Sequence, residues 1–175
     1  MSKIIIYVDG ACSGNGSAAA VGGYGVIVLD DKENYITSHY EQVKNTTNNR
    51  MELSAILWAM IKYGKEFPCP VVYSDSAYCV NTLTSWCWAW RAKGWIKSNN
   101  TKPENLDLIQ AYCNLWDKGY RIDLRKCHGH SGDHWNEQAD KLAVAAKEGK
   151  KEVTIKILEF NKPNKNNVII RKESF

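Results

Sequence analysis

The run Ile4-Ile5-Ile6-Tyr7-Val8-Asp9-Gly10 constrains this chain more than any other stretch. Five apolar residues in succession, four of them β-branched, read as a strand covered on both faces, which calls for a central sheet with a layer on either side. The run ends in a carboxylate and then a glycine-rich loop, Gly10 to Gly16. An ionised acid at the edge of a buried strand needs a compensating charge. Taken alone, Asp9-Gly10 reads as an Asx turn into the loop. What separates the two readings is whether the rest of the chain delivers other acids to the same place.

In chain order, Gly23 to Asp30 and Tyr35 to Val43 read as two further strands, and their short connections favour an antiparallel meander. Thr46 to Asn49 can cap a helix whose apolar positions Leu53, Ile56, Leu57, Met60 and Ile61 recur at helical spacing, so Glu52 falls near its first turn. Pro68-Cys69-Pro70 stops it, and Val71 to Asp75 is a short strand that again ends in an acid. Helices are predicted over Ser76 to Thr84, Ser85 to Trp95 and Asn105 to Lys118, then a strand over Arg121 to Cys127. His128 to Asp133 reads as a flexible loop, and Trp135 to Lys147 as a last helix containing Asp140. The order βββαβαααβα predicts an α/β fold: a five-stranded mixed sheet, three antiparallel strands then two parallel, flanked by helices.

The 175 residues, 44% of them hydrophobic, suffice for one core with an appendage. The division expected is a body over 1–149 and a basic extension over 150–175, either a hairpin or a frayed tail. The net charge of +4 lies wholly in that extension, since the body carries 16 Lys/Arg against 16 Asp/Glu. Within the body, Trp86 to Lys102 holds Arg91, Lys93, Lys97 and Lys102 and no acid, which fits a basic contact surface beside an acidic site. No secretory pattern or membrane-length apolar segment is present, so a cytoplasmic, membrane-free protein is expected, and a monomer. The six cysteines lack paired metal-type spacing and read as reduced thiols.

Ligands of open sheets bind beyond the carboxyl ends of parallel strands, where Asp9 and Asp75 both project if their strands are neighbours. Glu52 and Asp140 complete a group of four acids. Such a group is self-repelling unless cations occupy it, and hard oxygen ligands suit two Mg²⁺ ions, with Mn²⁺ as a substitute. A metal pair of this kind activates water on one side of a phosphorus and stabilises the leaving oxygen on the other. His130, in a glycine-containing loop ahead of the fourth acid, is placed to move a proton.

The segments Tyr7 to Asn15, Thr46 to Leu53, Tyr73 to Tyr78 and Gly129 to Ala143 resemble, in order, the four active-site segments of type 1 ribonuclease H. The similarity spans about residues 3 to 147. It implies the RNase H-like fold and endonucleolytic hydrolysis of the RNA strand of an RNA/DNA hybrid, leaving 5′-phosphate and 3′-hydroxyl ends. It further implies that Asp9, Glu52, Asp75 and Asp140 hold the metals, with Asp9 bridging both, and that His130 assists proton transfer or product release. Asn15, Thr47, Asn48 and Asn49 match positions that contact the hybrid, including the phosphate pocket of the DNA strand, and Gly10 and Cys12 supply backbone near the RNA. Trp86 to Lys102 resembles the family's basic protrusion, so Arg91, Lys93 and Lys97 are expected on phosphates. Trp86 and Trp90, at helical spacing, are expected in the core.

Ala77 departs from the family, where many bacterial members place a substrate-contacting Gln. Cys127, His128, His130 and His134 also invite a zinc reading, disfavoured by their crowding into one loop. Two rival functions share the fold or surface: a non-catalytic hybrid-binding module and a DNA nuclease. The loop after Asp9 lacks the lysine of a nucleotide-binding P-loop.

Overall fold

The computed structural model describes residues 3–15, 17–127, 131–159 and 162–172. Its centre is β1 (Ile4–Ser13), paired antiparallel with β2 (Val21–Asp30), which pairs with β3 (Tyr35–Lys44). On the other side β1 runs parallel to β4 (Val71–Ser74), and β4 to β5 (Asp123–Lys126), giving the order β3-β2-β1-β4-β5. The mixed sheet expected from the sequence is thus present. Period-2 alternation sends Ile4, Ile6 and Val8 into one core and Tyr7 into another, so the apolar run of β1 is continuous because both faces are covered.

The first face is covered by α1 (Asn48–Tyr63), α2 (Ala77–Asn81), α3 (Cys87–Ala92) and α4 (Leu106–Asp117). The two helices predicted over Ser76 to Trp95 form one helical course instead. A π turn over Thr82–Trp86 joins α2 to α3, with Asn81 and Trp86 both right-handed helical. Inside this course Thr84 Oγ1 donates to the Val80 carbonyl (2.5 Å), the kind of side-chain bond that loosens and bends a helix. The two tryptophan rings still meet, with centroids 6.2 Å apart. Trp90 packs against the core as expected, but Trp86 is 44% exposed, which corrects its core assignment.

The second face is covered by α5 (Ser131–Lys147) and by a hairpin of β6 (Glu152–Glu159) and β7 (Lys162–Arg171). Of the two alternatives for residues beyond 150, the hairpin is the one observed. Ile155 and Ile157 are buried with Tyr7, Ile27, Leu29, Tyr40, Trp135 and Leu142, so the hairpin helps to build the second core. Helix α5 lies directly on β2: a Cβ on Gly25 would meet Leu142 Cβ at 2.5 Å, and one on Gly23 the Lys147 nitrogen at 2.4 Å. No described helix is long and apolar enough to cross a membrane.

Candidate active site

The register of the two parallel strands assembles the first two acids. Tyr7 pairs with Tyr73, and their rings stack at 5.0 Å. Asp9 and Asp75 each lie two residues further on, Asp9 within β1 opposite Gly25, because β1 continues to Ser13 where a loop was expected, and Asp75 just past the end of β4. Glu52 comes from α1, whose start is fixed by Thr47, with Oγ1 accepting from the Arg50 nitrogen at 3.2 Å. That helix reaches the strand because residue 10 is glycine. A Cβ there would lie 2.6 Å from the Glu52 nitrogen and 2.8 Å from the Met51 carbonyl carbon. The Gly10 N–H donates to Glu52 Oε1 and to Asp9 Oδ1, each at 2.9 Å, tying the acids to one backbone group.

Asp9, Glu52 and Asp75 each bring a ligand oxygen within 4.8 Å of the others. Asp9 and Glu52 are buried and Asp75 is exposed, which gives the group a closed inner end and an open outer end. Burial, followed by the neighbouring Glu52 and Asp75 carboxylates, holds the Asp9 carboxyl well above the usual carboxylate range. Burial likewise raises Glu52. Glu52 Oε2 is buried without a hydrogen-bond partner. A cluster of hard oxygen donors, two of them resisting ionisation and one left unpaired, fits a divalent cation.

Asp140 is exposed on α5 and lies outside the 4.8 Å cluster, so among the described residues the compact acidic group has three members and not four. Four residues before it on the same helix, Asn136 places its amide nitrogen 3.4 Å from Asp75 Oδ2. Sequence reasoning passed over Asn136, although its helical spacing from Asp140 puts both on one face. His130 falls outside the described residues, as does His128. Of the other residues of the zinc reading, His134 Nε2 donates to the Lys156 carbonyl at 2.9 Å, and neither it nor Cys127 belongs to a metal-type cluster among the described residues.

Asn15 Oδ1 accepts from the Asn48 nitrogen at 2.8 Å, which fastens the β1–β2 loop to the start of α1. Asn48 and Asn49 are exposed there, and Cys12 Sγ donates to the Thr46 carbonyl at 3.5 Å. Asn15 and Thr47 therefore spend an acceptor on the helix start, and the loop and helix form one exposed corner beside the acids.

A model of the RNase H family matches residues 1–148. The ribonuclease H of Acetivibrio thermocellus is 43% identical over 146 residues, 82% of this chain and 94% of that protein. The chain belongs to the ribonuclease H family. It is accordingly a metal-dependent endoribonuclease. Among solved structures, LC9-RNase H1, a type 1 RNase H with the type 2 active-site motif, matches with a TM-score of 0.68 and 26% identity, covering 98% of this chain and 78% of that one. LC11-RNase H1 in complex with RNA/DNA hybrid shares the fold, with a TM-score of 0.61 and 24% identity over 84% of this chain and 98% of that one.

The basic segment of this ribonuclease H is less acid-free in space than in sequence. Arg91 makes a bidentate pair with Asp117 of α4, at 3.2 and 2.5 Å, and its guanidinium lies 5.7 Å from the Trp88 ring. Arg50 pairs with Asp107 in the same manner, at 3.0 and 2.7 Å. Lys93 is exposed, and Lys97 closes a turn through its backbone, accepting from the Asn100 nitrogen at 3.0 Å.

Proposed function

We propose that this ribonuclease H hydrolyses the RNA strand of an RNA/DNA hybrid endonucleolytically, with two Mg²⁺ ions, leaving 5′-phosphate and 3′-hydroxyl ends. The observation that carries the reading is the carboxylate cluster of Asp9, Glu52 and Asp75, with a buried inner end and an exposed outer one. Asp9, Glu52 and Asp75 would hold the ions, with Asp140 of α5 as a fourth acid. When bound, the ions supply the activated water and stabilise the leaving oxygen.

The residues themselves do the positioning. The Gly10 N–H holds Asp9 and Glu52 in register, and Asn136 orients Asp75. His130 assists proton transfer or product release. The exposed corner of Asn15, Thr47, Asn48 and Asn49 receives a phosphate of the DNA strand, while Gly10 and Cys12 present backbone to the RNA. Recognition of the RNA through its 2′-hydroxyls accounts for strand choice. Lys93 and Lys97 contact the DNA backbone, and Arg91 does so only by exchanging Asp117 for a phosphate.

End-labelled hybrid, DNA duplex and RNA duplex incubated with Mg²⁺ provide the test, with Asp9→Asn alongside. The expected result is cleavage of the hybrid's RNA alone, and none by the variant. DNA cleavage would select a nuclease of other specificity, and hybrid binding without turnover a non-catalytic module; equal cleavage by Asp9→Asn would remove the acid cluster from the chemistry.

A further inference from the structure

The family match ends at residue 148, and the hairpin that follows touches the helix carrying Asp140 in a particular way. Lys156 on β6 uses both of its backbone polar groups on α5. Its N–H donates to Gln138 Oε1 at 2.8 Å, and its carbonyl accepts from His134 Nε2 at 2.9 Å. His134 and Gln138 are four residues apart and so face the hairpin together. Gln138 is 4% exposed, an uncharged polar side chain kept in the interior with its acceptor satisfied by this bond.

The residues between and after them take the other directions of the same helix. Trp135, Ala139 and Leu142 enter the core that Ile155 and Ile157 complete. Asn136 reaches Asp75. Asp140, four residues after Asn136, lines a cleft of about 360 Å³ whose opposite wall is Lys150, Glu152 and Thr154. Backbone groups of a paired strand are stiffer anchors than side chains on a loop, and they grip α5 on either side of the residue that meets the acid cluster.

We propose that the C-terminal hairpin is a built-in clamp that sets the position of α5, with Gln138 and His134 as positioning residues acting through Asn136 and Asp140 on the metal-binding acids. The inference rests on Asp140 being the fourth acid of the hybrid-cleaving site. A hairpin outside the family match thereby becomes part of the catalytic frame.

The test uses the full chain and three proteins: wild type, the double variant His134→Ala with Gln138→Leu, and the single variant His134→Gln, which keeps an N–H donor. Amide hydrogen exchange is read in α5 and α1, and kcat and KM are measured on RNA/DNA hybrid at saturating Mg²⁺. Expected for the double variant are faster exchange in the first half of α5 with α1 unchanged, a kcat lowered by about tenfold, and KM within about twofold of wild type. His134→Gln should recover most of the kcat. Unchanged exchange in α5, or a loosened α5 with unaltered kcat, overturns the clamp. Loss of protection in α1 as well as α5 makes the contact merely structural and also overturns it. Absence of hybrid cleavage by wild type overturns instead the functional reading on which the clamp depends.

Discussion

The two faces of the sheet hold their acids by different means. On the first face, Glu52 is set by direct backbone contact, because α1 touches β1 where Gly10 leaves no room for a side chain. A large cluster of Met51, Leu53, Ile56, Met60 and residues of three further helical segments stands behind it. On the second face, α5 has a smaller core that closes only with Ile155 and Ile157 of the hairpin, and Asp140 stays exposed at the edge. The clustered acids are fixed by strand register and one glycine, whereas Asp140, the fourth acid only in the proposed site, sits on a helix whose core is completed from beyond the family segment. Distortion on the first face should therefore act on chemistry directly, and distortion on the second chiefly through stability and helix position.

The largest effect is expected from Gly10→Ala. The added Cβ would meet backbone atoms of Met51 and Glu52 below 3.0 Å, and backbone cannot swing aside as a side-chain tip can. Moving the Glu52 carboxylate by about 1 Å from Asp9 should cost about 100-fold in kcat. Steady-state cleavage of hybrid checks this, and activity within about threefold of wild type would break the claim that close approach sets the first face. On the second face, Ile155→Ala deletes a fully buried side chain and should cost about 2–4 kcal/mol in urea unfolding. A loss below about 1 kcal/mol would mean that the hairpin is applied to the core and is not part of it.

The pH response sharpens the contrast, because the buried acids Asp9 and Glu52 meet where β1 contacts α1. In the metal-free protein the Glu52 carboxyl is raised from 4.5 to about 7, and Asp9 is raised further, both chiefly by burial. The folded state then holds protons that the unfolded chain releases. Its stability is full below the ordinary carboxylate range and is lost as pH rises through the Glu52 value. Cation binding opposes that loss by stabilising the ionised acids. Without metal, Tm should fall between pH 5 and pH 8, and Mg²⁺ should raise Tm more at pH 8 than at pH 5. Glu52→Gln should flatten the metal-free profile, while Gln138→Leu on the second face should leave its slope unchanged. Scanning calorimetry in chelator and in Mg²⁺ checks each slope.

These contrasts also explain what could be read from the residues alone. The two-layer covering of the sheet was legible because β1 is apolar at every position from Ile4 to Val8, a pattern that only a doubly covered strand requires. Asp9, Glu52 and Asp75 were legible as a group because two apolar strand runs each lead into an acid and a capped helix carries one near its start, although β1 itself continues past Asp9 to Ser13. The join between α2 and α3 was not, since a π turn continues the helix without a Gly or Pro to mark it, and Trp86 was misplaced because helical spacing pairs it with Trp90 without saying which of the two rings reaches the core. The grip of Lys156 on Gln138 was hidden too. It uses backbone groups, which every residue carries, and joins positions 18 apart with no periodicity to betray them. The pairing of Arg91 with Asp117 was lost because local charge counts ignore what packing brings from another helix.

That pairing yields the smallest and most discriminating expectation, since the three basic side chains of the first face are not equivalent. Each cation placed on a phosphate contributes about 0.7–0.9 to the slope of log affinity against log salt, through released counterions. Lys97→Ala and Lys93→Ala should each lower the slope by about that amount. Arg91 is already neutralised by Asp117, and contact with phosphate would break two charge-assisted bonds, at 3.2 and 2.5 Å. Arg91→Ala should therefore change the slope less than either lysine variant, and Asp117→Asn should steepen it by releasing the guanidinium. Fluorescence anisotropy of labelled hybrid over a salt series, on an Asp9→Asn background to prevent cleavage, measures all four. A slope change for Arg91→Ala as large as that for Lys97→Ala would mean that the arginine leaves Asp117 whenever nucleic acid arrives, so that the pair holds the side chain in reserve and does not withdraw it from the surface.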